Sequence, residues 1–480
     1  MTTDFEQDAS FRAYSRAHSA HWDRVALGGR GSCGSFYHRQ LAACYGFHVP
    51  PGQRILELGC GHGDLLAALE PSDGVGIDFS AEMIRAARDR HPQLRFLEGD
   101  AHSFELDGVF DVIILSDLLN DLWDVQAVFS RLQRHTAPRT RLVLNFYSHL
   151  WELPLGLAQK AGLMTPLLPQ NWLTRDDVAN LLALTGFEIV KQSDQILLPL
   201  TLGPLSQLFN RWLVHLWPLR YFALAHFMIV RARPAEQLPQ PEPTVSVIVP
   251  ARNEAGNIPA IVERLPVMGG GTELIFVEGH SSDATWDAIQ QALDLRPELG
   301  CRAFRQAGKG KGDAVRMGFA EARGDILMIL DADMTVPPED LPRFYQAIAR
   351  GTGEFINGVR LVYPMEEKAM RFLNLLGNKF FSLAFSWLLG QPIKDTLCGT
   401  KVLWRKDYER IAANRAYFGD FDPFGDFDLL FGAAKLDLKF IEIPIRYRQR
   451  TYGDTNISRF RHGLLLLRMV LFAARKIKFV

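Results

Sequence analysis

Short apolar runs alternate with amphipathic segments along this chain, and the alternation happens twice. In the first half, 54–58, 74–78, 94–98, 109–115 and 141–146 read as strands, and 63–69 and 81–90 as helices. In the second, 245–250, 273–278 and 325–331 read as strands, and 258–264, 285–293 and 314–322 as helices. Such alternation predicts mainly parallel sheets with helices on both faces, so the fold class is α/β with two doubly wound domains. Between the halves lies RARPAEQLPQPEP, proline-rich and without apolar periodicity, which reads as a linker. The predicted organisation is a domain over 1–230, a linker over 231–243 and a domain over 244–480.

Composition sharpens this in a few places. A chain of 480 residues exceeds one ordinary domain, and 48% apolar residues suffice for two cores. A net charge of −1 leaves no basic field for nucleic acid. The cysteines, Cys33, Cys44, Cys60, Cys301 and Cys398, form no C-x-x-C pair, so neither a zinc site nor a disulfide framework is expected, and a reducing cytoplasmic compartment fits. The acidic, polar start does not read as a secretory signal. No run reaches the roughly 20 apolar residues of a spanning helix.

The first chemical motif is Glu57-Leu58-Gly59-Cys60-Gly61-His62-Gly63, at the end of the 54–58 strand. Ligands of doubly wound sheets bind at the carboxyl ends of strands, and glycines let backbone approach them. Asp78 ends the next strand, where a carboxylate meets ribose hydroxyls, and Asp100 follows the third. The spacing is G-x-G-x-G rather than the G-x-G-x-x-G of dinucleotide sites. Glu57 would repel a pyrophosphate and attract a cationic aminoacyl group. This set, over 50–146, resembles the class I S-adenosylmethionine-dependent methyltransferases. The resemblance implies that Glu57, Gly59, Gly61 and Gly63 form the cofactor loop, that Asp78 holds the ribose and that Asp100 meets the adenine. The methyl acceptor stays open: His21, Tyr37, His38 and His149 are candidates, each with an ordinary packing role as its alternative. A cofactor-binding scaffold without catalysis is a further alternative. Residues 197–230, rich in Leu, Trp and Phe but broken by prolines, read either as a cap with a last strand pair or as an apolar slot for a lipid-like acceptor.

The second half carries Val249-Pro250-Ala251-Arg252-Asn253-Glu254, then Val277-Glu278-Gly279, a Gly308-Lys309-Gly310-Lys311-Gly312 loop, and Asp331-Ala332-Asp333. Carboxylates at i and i+2 past a strand end suit a hard divalent ion that also takes phosphate oxygens. The lysine loop lacks Walker spacing, yet its lysines suit a diphosphate. In this order the motifs resemble family 2 glycosyltransferases of the GT-A fold. That resemblance implies nucleotide-sugar binding by Pro250, Arg252, Glu254, Glu278, Lys311 and Asp331, and a divalent metal, Mg or Mn, on Asp331 and Asp333, with Asp333 serving catalysis. Glu278 stands where Asp is usual, which leaves the base open. Gly358-Val359-Arg360, Arg371, the Asp395–Gly399 segment, Glu442 and Arg450 resemble the dolichyl-phosphate mannose synthase-like branch. They imply that Arg360, Arg371 and Arg450 meet an acceptor phosphate. For a hydroxyl acceptor instead, Asp426 and Asp428 offer a base; Asp428 equally suits orienting an arginine.

Two further segments bear on location. Residues 464–480 read as a basic amphipathic helix, and 372–393 is apolar with a polar stripe. Each is equally a core helix. The combined expectation is a bifunctional enzyme at the cytosolic membrane face: methyl transfer from S-adenosylmethionine, and inverting, metal-dependent sugar transfer to a polyprenyl-phosphate or lipid-linked acceptor. The alternative is transfer to a glycan hydroxyl.

Overall fold

The computed structural model describes residues 9–27, 32–161, 168–234, 238–360, 372–417, 427–445 and 459–479, without the side chains of 32–33, 372–378 and 459–463. The chain divides between Arg233 and Pro234 into two compact units.

The first unit holds β1 (Arg54–Leu58), β2 (Asp73–Asp78), β3 (Arg95–Glu98), β4 (Phe110–Ser116), β5 (Thr136–Tyr147), β6 (Phe187–Gln195) and β7 (Ala225–Ala232). They form a seven-stranded sheet ordered β3-β2-β1-β4-β5-β7-β6. β1 to β5 run parallel, and β7 runs antiparallel to β5 and β6. Alternate residues feed opposite faces: Leu56, Ile113 and Leu144 pack on one side, Ile55, Ile114 and Val143 on the other. Burial on both faces explains why these strands read as continuous apolar runs. The strand order reverses between β1 and β4, which opens a crevice at their carboxyl ends.

One boundary differs from the sequence reading. Arg231 and Ala232 belong to β7, not to a linker. Arg231 is buried in register with Glu188 and pairs with it at 2.6 Å. A charged pair inside the sheet has the composition of a linker. Residues 204–222 form short helical turns that lead into β7.

The second unit holds β8 (Val245–Ala251), β9 (Thr272–Glu278), β10 (Arg302–Arg305), β11 (Ile326–Ile329), β12 (Phe355–Val359), β13 (Lys401–Trp404) and β14 (Phe440–Pro444). Their order is β10-β9-β8-β11-β13-β12-β14. β13 enters antiparallel between β11 and β12, an insertion that simple strand–helix alternation does not predict. β11 ends at Ile329, so Asp331 and Asp333 lie in the loop beyond it.

Helices Phe372–Leu389 and Arg459–Ile477 are both present, and they pack on each other. The latter buries Leu466, Met469, Ala473 and Ile477 and exposes Leu464, Leu467, Arg468, Leu471 and Arg475. It is a core helix on one side and an apolar–basic stripe on the other. Among the described residues, no helix is long and apolar enough to cross a membrane.

Candidate active sites

The first site lies where β1, β2 and β4 end. Gly59, Gly61 and Gly63 sit at φ of 70°, 51° and 74°, left-handed values that disfavour other residues. Space excludes side chains as well: a Cβ on Gly63 would stand 2.5 Å from the Phe96 ring, and one on Gly59 2.9 Å from Leu118 Cδ1. Asp78 ties the turn to its own strand. Its Oδ2 accepts from Gly61 N and its Oδ1 from Ser80 N, each at 2.9 Å. Burial pushes this carboxyl up, against the pull of those two amides. Each oxygen keeps a lone pair for a ligand hydroxyl. Glu57 is buried at the end of β1.

Asp100 is set by a neighbour that the sequence reading did not single out. His102 reaches Asp100 Oδ1 through its backbone N at 2.8 Å and its Nδ1 at 2.6 Å. Asp124 N donates to His102 Nε2 at 3.1 Å, which puts the ring proton on Nδ1, toward Asp100. Burial works to raise the Asp100 carboxyl, but the His102 hydrogen bonds outweigh it and hold it below the usual range.

The helix Ala9–Leu27 passes over these groups. Asp23 Oδ1 accepts from Ser80 Oγ at 2.6 Å, Phe11 meets His102 edge-on at 5.3 Å, and Tyr14 donates to the Asp121 carbonyl. His18 Nε2 on this helix is buried without a hydrogen bond among the described residues. Of the acceptor candidates, Tyr37 joins the site, donating to Asp117 Oδ1 at 2.8 Å. His21 is buried beside Trp22, His38 is exposed, and His149 lies 3.8 Å from Glu152 on the surface.

The second site is a cleft of about 300 Å³ at the carboxyl ends of β8 and β11. Pro250, Arg252, Glu254, Lys311, Asp331 and Asp333 line it. Glu278 does not. It is buried, and its carboxylate accepts from Ser281 N, while Val277 and Gly279 on either side reach the cleft. Lys311 pairs with Asp331 at 2.7 Å, and Asp333 Oδ1 accepts from Thr335 N and Oγ1 at 3.1 and 2.7 Å. Burial works to raise Asp331, but Lys311 first, then Lys401 and Arg360, hold it below its ordinary value.

The loop before β13 closes on this cleft. A Cβ on Gly399 would stand 1.8 Å from Asp331 Oδ2. Arg360 grips Asp395 with two bonds, Nε–Oδ2 at 2.7 Å and Nη2–Oδ1 at 2.8 Å. Glu442 on β14 accepts from the Lys394 and Asp395 amides. Lys401, fully buried, donates to the Cys398 carbonyl. Lys401 lies two residues beyond the Asp395–Gly399 segment, and nothing in the sequence marks it as a buried cation.

Asp428 stands elsewhere. It lies on the helix Phe427–Lys435, its Oδ2 takes Arg415 Nε at 2.8 Å, and it does not line the cleft. Asp426, Arg371 and Arg450 lie outside the described residues.

Comparisons with known proteins agree with this two-part layout. A methyltransferase domain model matches residues 30–192, and the glycosyl transferase family 2 model matches residues 246–411. The dolichol-phosphate mannosyltransferase of Pyrococcus furiosus is 36% identical over 219 residues, covering 45% of this chain and 59% of that protein. The glycosyltransferase AglJ of Haloferax volcanii is 27% identical over 228 residues, covering 47% and 70%. An undecaprenyl-phosphate 4-deoxy-4-formamido-L-arabinose transferase of Pseudomonas aeruginosa is 26% identical over 227 residues, covering 46% and 63%. This chain therefore carries a methyltransferase domain followed by a family 2 glycosyltransferase domain.

Proposed function

We propose that the second domain transfers a sugar from a nucleotide-sugar donor to a polyprenyl-phosphate or lipid-linked acceptor, with a divalent metal, and that the first transfers a methyl group from S-adenosylmethionine. The observation that carries the sugar-transfer reading is the convergence at Asp331. Lys311 pairs with that carboxylate, the charges of Lys401 and Arg360 bear on it, and the Gly399 loop packs against it, beside a cleft of nucleotide-diphosphate size. Asp331 and Asp333 fit a hard divalent ion as oxygen donors. Among the described residues they gather with no further His, Cys or carboxylate, so diphosphate and water would complete the coordination. Bound there, the metal would neutralise charge on the departing diphosphate. Pro250, Arg252 and Glu254 are proposed to seat the nucleotide. Buried Glu278 would act on it through the loop that it pins.

A phosphate acceptor is already ionised and needs no base. The engagement of Asp428 by Arg415 favours that reading over a glycan hydroxyl. Arg360, fixed by Asp395, is the described member of the proposed acceptor-phosphate set, with Arg371 and Arg450. In the curated relatives, dolichol phosphate and undecaprenyl phosphate appear in the protein names, and this chain spans 59% and 63% of two of them. A membrane surface, proposed as the cytosolic one, would meet the exposed Leu464, Leu467 and Leu471 stripe with Arg468 and Arg475 at head-group level.

The test incubates the full chain with polyprenyl-phosphate-bearing membranes, labelled nucleotide sugar and Mn²⁺. Label extractable into solvent and released by mild acid is expected, and chelation or Asp331→Asn abolishes it. A mild-acid-stable glycoside as product overturns the phosphate reading.

For the first domain, the carboxylates of Glu57, Asp78 and Asp100 suit a ligand with cationic groups and ribose hydroxyls. Asp78→Ala frees Gly61 N and Ser80 N together and removes the ribose partner. Calorimetry should show S-adenosylmethionine affinity reduced roughly 100-fold or more, in line with losing hydrogen bonds to a charged group. Affinity unchanged by this substitution excludes Asp78 from the cofactor site.

A further inference from the structure

Beyond β4, Asp117 takes a left-handed φ of 54°, unusual for a residue other than glycine. The backbone turns there to aim a carboxylate. Both of its side-chain hydrogen bonds fall on Oδ1, one from Tyr37 Oη at 2.8 Å and one from Asn145 Nδ2. Asn145 is itself fixed, because its Oδ1 accepts from Tyr45 Oη at 2.7 Å and from Asp117 N at 3.3 Å. Tyr147 hydrogen-bonds Tyr37 from the other side. Oδ2 takes no hydrogen bond among the described residues and is not one of the buried unpartnered atoms. One oxygen is clamped, and the other is left without a hydrogen bond among the described residues.

Asp117 adjoins the cofactor turn. Leu58 on β1 pairs with Leu115 on β4, and Leu118, next to Asp117, packs against Gly59. We propose that Asp117 is the general base of the methyltransferase domain, and that its acceptor is a neutral hydroxyl methylated on oxygen. The acceptor class follows from charge. Asp117 and Asp121 both flank the crevice, so an anionic nucleophile is repelled, and it would need no base. The choice of a hydroxyl over an amine rests on the proposed saccharide substrate. In the step, the acceptor oxygen attacks the methyl carbon and a C–O bond forms as the C–S bond breaks. The bonding pair goes to sulfur, leaving a neutral thioether. The hydroxyl proton passes to Asp117 Oδ2 and then to solvent.

The charge environment matches this role. Burial first, with Asp121 adding, pushes Asp117 up to about 7, against the hydrogen bonds from Tyr37 and Asn145. Burial likewise raises Asp121 to about 6, against the hydrogen bonds from Gln170 and Trp22. Tyr37, Tyr45 and Tyr147 are raised by burial and stay protonated. Transfer therefore rises as pH passes about 7 and Asp117 ionises. A carboxyl raised in the native state also destabilises the fold above its unfolded pKa, increasingly until the native pKa is passed.

The test compares wild type with Asp117→Asn, whose amide oxygen still accepts from Tyr37. Infrared difference titration of the full chain should show, beside the Asp121 carboxyl near 6, a second carboxyl ionising near 7 in the wild type and absent from the variant. The variant should melt higher than wild type at pH 8 but not at pH 4, and should bind S-adenosylmethionine within about twofold of wild type. Methyl transfer to n-octyl glycosides, with octylamine and octyl phosphate as the amine and anion probes, should fall at least about 100-fold in the variant. A carboxyl titrating in the ordinary range, or transfer that survives the substitution, overturns the base. Turnover confined to the amine or phosphate, or of none of the three, overturns the hydroxyl acceptor. Failure of the wild type to bind S-adenosylmethionine counts instead against the cofactor reading.

Discussion

Gly399→Ala lowers sugar transfer at least about 100-fold, the scale of loss that a misplacement of about 1 Å produces in an active site, and leaves S-adenosylmethionine binding untouched. The added methyl has nowhere to go. It would stand 1.8 Å from Asp331 Oδ2 and 2.4 Å from its Cγ. The loop cannot retreat easily. Asp395 is forked by Arg360, Glu442 holds the Lys394 and Asp395 amides, and Gly358 N donates to Thr400 O at 3.0 Å. Asp331 is the softer partner, so its carboxylate swings away from Lys311 and from the place proposed for the metal. The measurement is the initial rate of lipid-extractable label, with calorimetric S-adenosylmethionine binding as the control. A rate within a few-fold of wild type means that Asp331 is not needed in this geometry.

Gly399 also shows where sequence reading stops. Its position in a D-x-x-x-G segment was visible, but its reason is a contact with a residue far earlier in the chain. Gly59, Gly61 and Gly63 differ, because strand, turn and helix are contiguous there and the left-handed turn is a local demand. The parallel strands were legible for a similar reason: burial on both faces leaves continuous apolar runs. β13 was not legible, since an antiparallel strand inserted between β11 and β12 has no alternation to announce it. Arg231 misled because a charged residue paired within a sheet resembles one in a linker. The Asp117 cluster was out of reach altogether. Tyr37, Asp117 and Asn145 come from a helix, a loop and a strand, and nothing in their spacing unites them. Tyr37 was a candidate only as an isolated hydroxyl. The Asp428 alternative, an arginine partner rather than a base, was open in the sequence, and the Arg415 contact at 2.8 Å bears on it directly.

Lys401→Met should destabilise the second domain by about 3 kcal/mol at neutral pH, the size expected when one partner of a buried charge group is removed. Lys401 is fully buried, and Met replaces its aliphatic stem at similar length, so packing changes little. Charge changes much more. Asp395 is 4% exposed; burial works to raise it, while Arg360 first, and then Lys401, hold it low. Lys401 likewise helps hold Asp331 low. A carboxyl depressed in the native state contributes stability above its unfolded pKa, and that contribution is lost as pH falls through the native value. Without Lys401 both native values rise, so less stability is gained on ionisation. The gap between wild type and variant should therefore be widest near pH 7 and shrink below about pH 4, the unfolded value of an aspartate. Scanning calorimetry of the full chain reads this, provided that the two domain transitions are told apart. Added S-adenosylmethionine should raise the first domain's transition alone, which leaves the other to report on Lys401. Sugar transfer should fall with stability, because the same cation helps keep Asp331 ionised. A gap of equal size at both pH values would show that Lys401 acts through its hydrogen bond to the Cys398 carbonyl rather than through its charge on the carboxylates, and would remove it from the electrostatic support of the Asp331 site.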